Sequence, residues 1–457
     1  MYQNLILNTD SYKASHYLQY PPQTTYVSSY IESRGGEFER LIFFGLQAFL
    51  KEYLIHPISR ENIEEAEAVL TTHGLPFNRE GWEHILQQHD GYLPLEIEAV
   101  PEGTKIAPQN VLLQVVNSDP QCFWLTSYIE TALLRAIWYP TTVATVSWYV
   151  KQTIAEYLQK TADNLEGLPF KLHDFGARGT SSYETSALGG AAHLVNFMGT
   201  DTLAGVMAVR QYYHEPMAGF SIPAAEHSTM TSWGKERETQ AYANMLQFSG
   251  EGKLVAVVSD SYNLWHALKH IWGEELKERV VNNGGTVVIR PDSGDPVEVV
   301  CKTLEILMDK FGFSTNSKGY RVLPDYIRII QGDGVSLSSI RQILETMTQK
   351  GLSADNVAFG MGGALLQKVH RDTLKFAMKA SAAKIDGVWH DVFKDPITDK
   401  GKVSKKGRLA LIADEQKGYQ TIAVGELSDR RNRLRTIFKN GQLLVDEEFA
   451  LIRQRAS

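Results

Sequence analysis

Cysteine is nearly absent: 457 residues hold two, Cys122 and Cys301, without the spacing of a metal-binding motif. That scarcity argues against a disulfide scaffold or a cysteine-based zinc site, and it favours a reducing compartment. Long hydrophobic runs are missing too. The longest, Leu41 to Leu50, is interrupted by Gln47 and falls well short of the roughly 20 apolar residues that cross a bilayer. The opening stretch MYQNLILNTDSYKASHY has no basic lead and only a short apolar patch, unlike a signal peptide. Cationic excess is also lacking, with 46 Lys and Arg against 53 Asp and Glu and a net charge of -7. This argues against the dense positive face that nucleic acid requires. The expectation is a cytoplasmic protein with no membrane and no nucleic-acid partner. What remains is ordinary globular composition, 43% hydrophobic and 22% charged, in a chain long enough for a large core.

Residues 1–140 mix alternating segments such as TYVSSYIES with helical ones such as NIEEAEAVLTTHG, and read as part of an accessory α+β domain. Residues 141–384 are expected to form a catalytic α/β domain. Within it, eight short apolar runs recur: LPFKLHDFG, VNFMGTD, GFSIPAAEH, KLVAVVSDS, GTVVIRPDSG, YIRIIQGDG, NVAFGMGG and LKFAMKAS. Most are followed by helix-like sequence. Continuous apolar strands alternating with helices predict a parallel sheet covered on both faces, and eight units predict a (β/α)8-type barrel. Residues 385–457, basic and turn-rich, are expected to complete the accessory domain. Chemically capable residues gather where the runs end: His173, Asp174, Phe175, Arg178, Asp201, His227, Asp260, Arg290, Asp292, Asp333, Gly362, Gly363 and Lys379. Barrel active sites lie at that end of the strands.

Each motif has a plain structural alternative. In RPDSGDP, Asp292 suits a ribose diol or Mg2+, or the segment is a turn with a capping Asp. In SDSYN, Asp260 suits a metal or the orientation of a histidine, while Ser261 suits a helix cap. Asp333, between two glycines in QGDGV, suits close backbone approach to a ligand, or marks a tight strand-to-helix turn. GMGG before a helix, with Arg371 downstream, suits a phosphate at free backbone N–H groups. Phe175 and Arg178 suit a flat heteroaromatic ligand, or are a packing aromatic and a surface cation. Lys394 and Lys402, in or near the basic 400–408 run, suit either a polyphosphate or solvent. His173 and His193 read as structural.

Taken in order, NTDSYKASHYLQYPP, HDFGARGTSS, HLVNFMGTDTLAG, SIPAAEHSTMTSWG, VVSDSYN, VIRPDSGDP, IIQGDGV, GMGGALLQK and VFKDP with SKKGRLAL resemble the nicotinamide phosphoribosyltransferases along nearly the whole chain. The resemblance implies a type II phosphoribosyltransferase barrel and a homodimer whose active sites are shared between chains. It implies nicotinamide held by Phe175, by Tyr12 of the second chain, and by Asp201, Arg178 and Arg290. Asp292 and Asp333 would bind ribose, and Gly362, Gly363 and Arg371 the 5'-phosphate. Arg34, Lys379, Lys394 and Lys402 would meet the pyrophosphate. His227 would be phosphorylated by ATP, with Asp260 beside it, and Asp260 or Asp292 would meet Mg2+. His227, Asp260, Arg290 and Asp292 thus form the implied catalytic set. Ala177 and Met361 depart from the family pattern. The rival readings are a nicotinate phosphoribosyltransferase, from which Asp201 discriminates, a non-catalytic signalling protein, and another phosphate-binding barrel enzyme.

Overall fold

The computed structural model describes residues 4–398 and 402–457; Lys400 and Gly401, at the start of the basic run, lie outside the described residues. The chain divides into two compact units. One comprises residues 1–145, 208–216 and 370–457, and the other residues 146–207 and 217–369.

The first unit is built on an antiparallel sheet of seven strands, in the order Val388–Asp391, Phe376–Ile385, Thr24–Ser33, Val111–Asn117, Leu95–Ala99, Arg435–Lys439, Gln442–Leu443. Alternation sets its faces. Leu95, Ile97 and Ala99 are buried, while Glu96 and Glu98 between them are partly exposed, as a period of two requires. The helix Arg60–Thr72 starts at a capping box between Ser59 and Asn62, which satisfies backbone donors that a helix start leaves free. Glu102 is buried deep in this unit and accepts from the backbone N–H groups of Gly45 (3.2 Å) and Gln47 (2.6 Å) and from the Tyr213 hydroxyl (3.0 Å).

The second unit holds a parallel sheet of six strands, in the order Gly199–Thr200, Leu172–Asp174, Val357–Met361, Ile327–Gln331, Thr286–Arg290, Leu254–Val258. The expected eight-stranded barrel is therefore corrected. The run LKFAMKAS lies in the antiparallel sheet of the first unit, paired with Thr24–Ser33. GFSIPAAEH forms no regular strand, yet it touches both edges of the parallel sheet. Phe220 makes a parallel bridge to Gly199, and Ala224 makes one to Ala256. Pro223 has no N–H to give a ladder; its carbonyl accepts from Ala256 at 3.0 Å. Ala256, Val288 and Ile330 form a small buried cluster, against which Phe175, Ile222 and Ala358 pack. No helix among the described residues is long and apolar enough to cross a membrane.

Candidate active site

Parallel pairing sends every strand of the six-stranded sheet toward the same rim. Asp174 pairs with both Thr200 and Met361, and Val258 pairs with Arg290. The residues just beyond those ends are Phe175, Asp201, Asp260, Asp292, Asp333 and the Gly362–Gly363 pair, so the rim gathers the groups that sequence reasoning placed there. His227 follows the bridging segment and opens the short helix His227–Thr231.

Phe175 closes the rim over the small interior cluster. Its N–H donates to the Met361 carbonyl (3.0 Å), and its ring lies so close to Gly360 that a Cβ there would sit 2.0 Å from ring carbon. Glycine at 360 is thus required for the aromatic to sit in this place, a use of close approach rather than of backbone freedom. Met361 is fully buried as the last residue of its strand, whereas Ala177 is exposed. Arg178 reaches into solvent, 91% exposed, with Glu226 3.9 Å away.

Asp201 takes a hydrogen bond from the Ser221 hydroxyl at 2.5 Å and is itself exposed. Behind it, Asp174 is fully buried. Burial pushes its carboxyl up to about 6, against a hydrogen bond from the Gly176 N–H (2.7 Å), while the charge of Asp201 pushes it up further. A carboxyl that keeps its proton in the fold above its ordinary range stabilises at low pH. That stabilisation is fully present below about pH 3.8 and is lost as pH rises through about 6. The window is worth roughly 3 kcal/mol. Asp174→Asn keeps an acceptor for Gly176 and is expected to remove this slope, read from urea unfolding of both proteins between pH 4 and 7.

The most ordered chemistry is a relay. The Ser293 hydroxyl donates to Asp260 Oδ2 (2.6 Å), and Asp260 Oδ1 faces His227 Nε2 (2.8 Å). The other imidazole nitrogen, Nδ1, is 3.8 Å from Asp292 Oδ2, which accepts from the Arg290 guanidinium at 3.0 Å. Arg290 Nε is buried without a partner among the described residues, as is Gln331 Oε1. The Gln331 amide donates to the Asp333 carbonyl (2.7 Å) and fixes the loop that exposes the Asp333 side chain. Gly362 and Gly363 lead into a single helical turn, Gly363–Leu366, and a Cβ on Gly363 would meet nothing within 4 Å. Both glycines are partly exposed.

The remaining predicted residues lie in the first unit. Tyr12 is 58% exposed and meets His16 edge-on. Arg371 is exposed and bonds to neighbouring Asp372 (3.3 Å). Lys402 is exposed, and Lys394 is fixed by a hydrogen bond from its N–H to Ser404 (2.9 Å). Arg34 pairs with buried Glu32 (3.2 Å), which Lys405 also contacts. Burial pushes the Lys379 ammonium down, Glu130 raises it, and Arg34, Lys394 and Lys13 lower it further. Arg34, Lys394 and Lys13 are thus near enough to bear on the charge of Lys379, and Lys13 itself pairs with Glu130 (2.7 Å). Lys13 and Lys405 escaped sequence reasoning although both stand inside quoted motifs, YKASHY and SKKGRL. Ser221 and Ser293 likewise sat in quoted motifs without an assigned part.

Comparison with known proteins gives a consistent picture. The model of the nicotinate phosphoribosyltransferase (NAPRTase) family matches residues 170–442, and that of the nicotinamide phosphoribosyltransferase N-terminal domain matches residues 4–97. The chain is 55% identical over 460 residues to a nicotinamide phosphoribosyltransferase of Xanthomonas campestris pv. campestris, covering 99% of this chain and 98% of that one. It is 32% identical to one of Acinetobacter baylyi, over 98% and 95% of the two chains. Among solved structures it shares its fold with a nicotinate-nucleotide pyrophosphorylase from Pyrococcus furiosus (TM-score 0.63, 15% identity, 99% and 95% coverage). It shares it also with human nicotinic acid phosphoribosyltransferase (TM-score 0.53, 15% identity, 98% and 92% coverage).

Proposed function

This chain belongs to the nicotinamide phosphoribosyltransferases, pentosyltransferases within the nicotinate phosphoribosyltransferase family, and from that premise we propose that it joins nicotinamide to phosphoribosyl pyrophosphate in NAD salvage, giving nicotinamide mononucleotide and pyrophosphate. The observation that carries the choice of base is the Asp201 carboxylate on the rim, steadied by Ser221. An anion there accepts from a carboxamide NH2 and repels the carboxylate of nicotinate. Phe175 offers the ring a face, and Arg178, Arg290 and a second chain's Tyr12 complete the base site.

The reaction breaks the bond from ribose C1 to pyrophosphate, and the pyridine nitrogen attacks C1 from the opposite face. Positive charge grows on the ribose and negative charge on the leaving group. No side-chain nucleophile toward the sugar is needed, so orientation and charge carry the rate. Asp292 and Asp333 hold ribose hydroxyls, the open backbone at Gly362 and Gly363 holds the 5'-phosphate with Arg371, and Arg34, Lys379, Lys394 and Lys402 neutralise the departing pyrophosphate. Exposed Tyr12 suits a homodimer in which one chain's residues serve its partner's site. Two free, buried cysteines suit a cytoplasmic setting.

Mg2+ fits in a limited way. Asp260 already takes His227 and Ser293, and Asp292 takes Arg290, so one or two carboxylates would complete a shell made mostly of substrate oxygens and water. When bound, the ion neutralises charge on the pyrophosphate. ATP enters at His227. Asp260 holds Nε2–H, which leaves the Nδ1 lone pair free to attack the γ-phosphorus as the bond to ADP breaks. Hydrolysis of the resulting phosphohistidine drives the equilibrium toward product.

The test is an assay of purified protein with phosphoribosyl pyrophosphate and Mg2+, comparing nicotinamide with nicotinate, with and without ATP. Mononucleotide from nicotinamide, enhanced by ATP, is expected. Turnover with nicotinate alone would overturn the part given to Asp201.

A further inference from the structure

Away from the rim, in the first unit, His84, His89, Asp119 and Cys122 converge. A single oxygen of Asp119, Oδ2, faces His84 Nε2 at 2.8 Å and His89 Nε2 at 2.6 Å. The two rings stand 5.7 Å apart at 69°, so both nitrogens point at one place from different directions. Cys122 is fully buried, and its sulfur, a ring nitrogen of His84 and an Asp119 oxygen lie within 4.8 Å of one another. We propose that these four side chains bind one Zn2+-class divalent cation, as a mixed two-nitrogen, one-oxygen, one-sulfur site.

Donor chemistry supports this. Imidazole, carboxylate and thiolate are the ligands of tetrahedral zinc. A supporting contact is present: the other Asp119 oxygen accepts from the Gln121 N–H (2.8 Å), which fixes the carboxylate as ligand carboxylates are fixed, and the Asn117 amide donates to the Asp119 backbone carbonyl (2.7 Å). A low cysteine count argues against a site of several thiolates; it leaves room for one thiolate among histidines.

Binding has a definite proton balance. A histidine that donates to Asp119 through Nε2 would move that proton to Nδ1 on binding and lose none. The thiol alone gives its proton to solvent, so about one proton leaves per ion. The ion would tie the helix Arg79–Gln88 and its C-terminal His89 to the turn Pro120–Cys122, far along the chain.

The experiment titrates the metal-free full chain with Co2+ and Zn2+, with no phosphoribosyl pyrophosphate present. Expected are one tight equivalent, a near-ultraviolet thiolate-to-cobalt absorption, a melting temperature raised by Zn2+, and about one proton released on calorimetry in two buffers at pH 8. Cys122→Ser should lose the absorption and the proton release. His84→Ala and His89→Ala should weaken binding on the order of tenfold or more, with basal transferase activity unchanged. Absence of the absorption in the wild type, or equal Co2+ affinity in wild type and all three variants, would overturn the site.

Discussion

Asp201→Asn is expected to move the ratio of kcat/KM for nicotinate over that for nicotinamide upward by about 10²-fold. The reason is electrostatic. Asp201 follows the short strand Gly199–Thr200 with its carboxylate steadied by the Ser221 hydroxyl, and in the proposed site a bound base would cover it from water. Nicotinamide gives it an N–H donor. Nicotinate brings a second carboxylate against it, and two like charges that have lost their solvent cost several kcal/mol. Asparagine removes that charge and still offers a carbonyl to the amide, so nicotinamide turnover should fall modestly while nicotinate turnover rises. Steady-state kinetics with both bases on one preparation gives the ratio directly. A ratio equal to that of the wild type would place the base elsewhere on the rim.

The second large effect is at the relay. His227→Asn should abolish stimulation by ATP and the transfer of label from its γ-phosphate, leaving the ATP-independent rate in place. Asp260→Asn tests the geometry more finely. The Asp260 carboxylate faces Nε2 at 2.8 Å and is itself only 5% exposed, so in the proposed mechanism it would hold the tautomer whose Nδ1 attacks phosphorus. An amide oriented by Ser293 cannot stabilise the positive ring, and the phosphorylation rate should fall by about 10² to 10⁴-fold. Label incorporation by Asp260→Asn at the wild-type rate would remove Asp260 from the relay. Arg290 matters here too: its pairing with Asp292 at 3.0 Å partly neutralises a carboxylate facing Nδ1.

Much of the rim was readable because buried parallel strands leave a clear signature. VAVV before SDS and TVVIR before PDS each join an apolar run to a polar end, and parallel pairing then sends all such ends one way. The same signature misled at LKFAMKAS, since a short apolar run looks alike in either sheet; its partner, Thr24–Ser33, stands at the far end of the chain. GFSIPAAEH failed differently: a proline without an N–H left bridges where a strand was expected. The burial of Asp174 and the meeting of His84 and His89 with Asp119 and Cys122 depend on tertiary packing and carry no local pattern. The cations at Lys13, Arg34, Lys379 and Lys394 were individually visible for most members, but their mutual influence was not.

The segment Phe220–Ala224 joins both free edges of the parallel sheet through single bridges, while the six strands hold one another in five continuous ladders. Ser221 sits in that weak joint, and Asp201 follows the strand it touches. On the proposed reading, base choice would lie at this seam, while Asp292, Asp333 and the Gly362–Gly363 pair follow strands held in the ladders. A lineage could retune which pyridine it accepts by editing the seam, and inherit the rest of the machine unaltered.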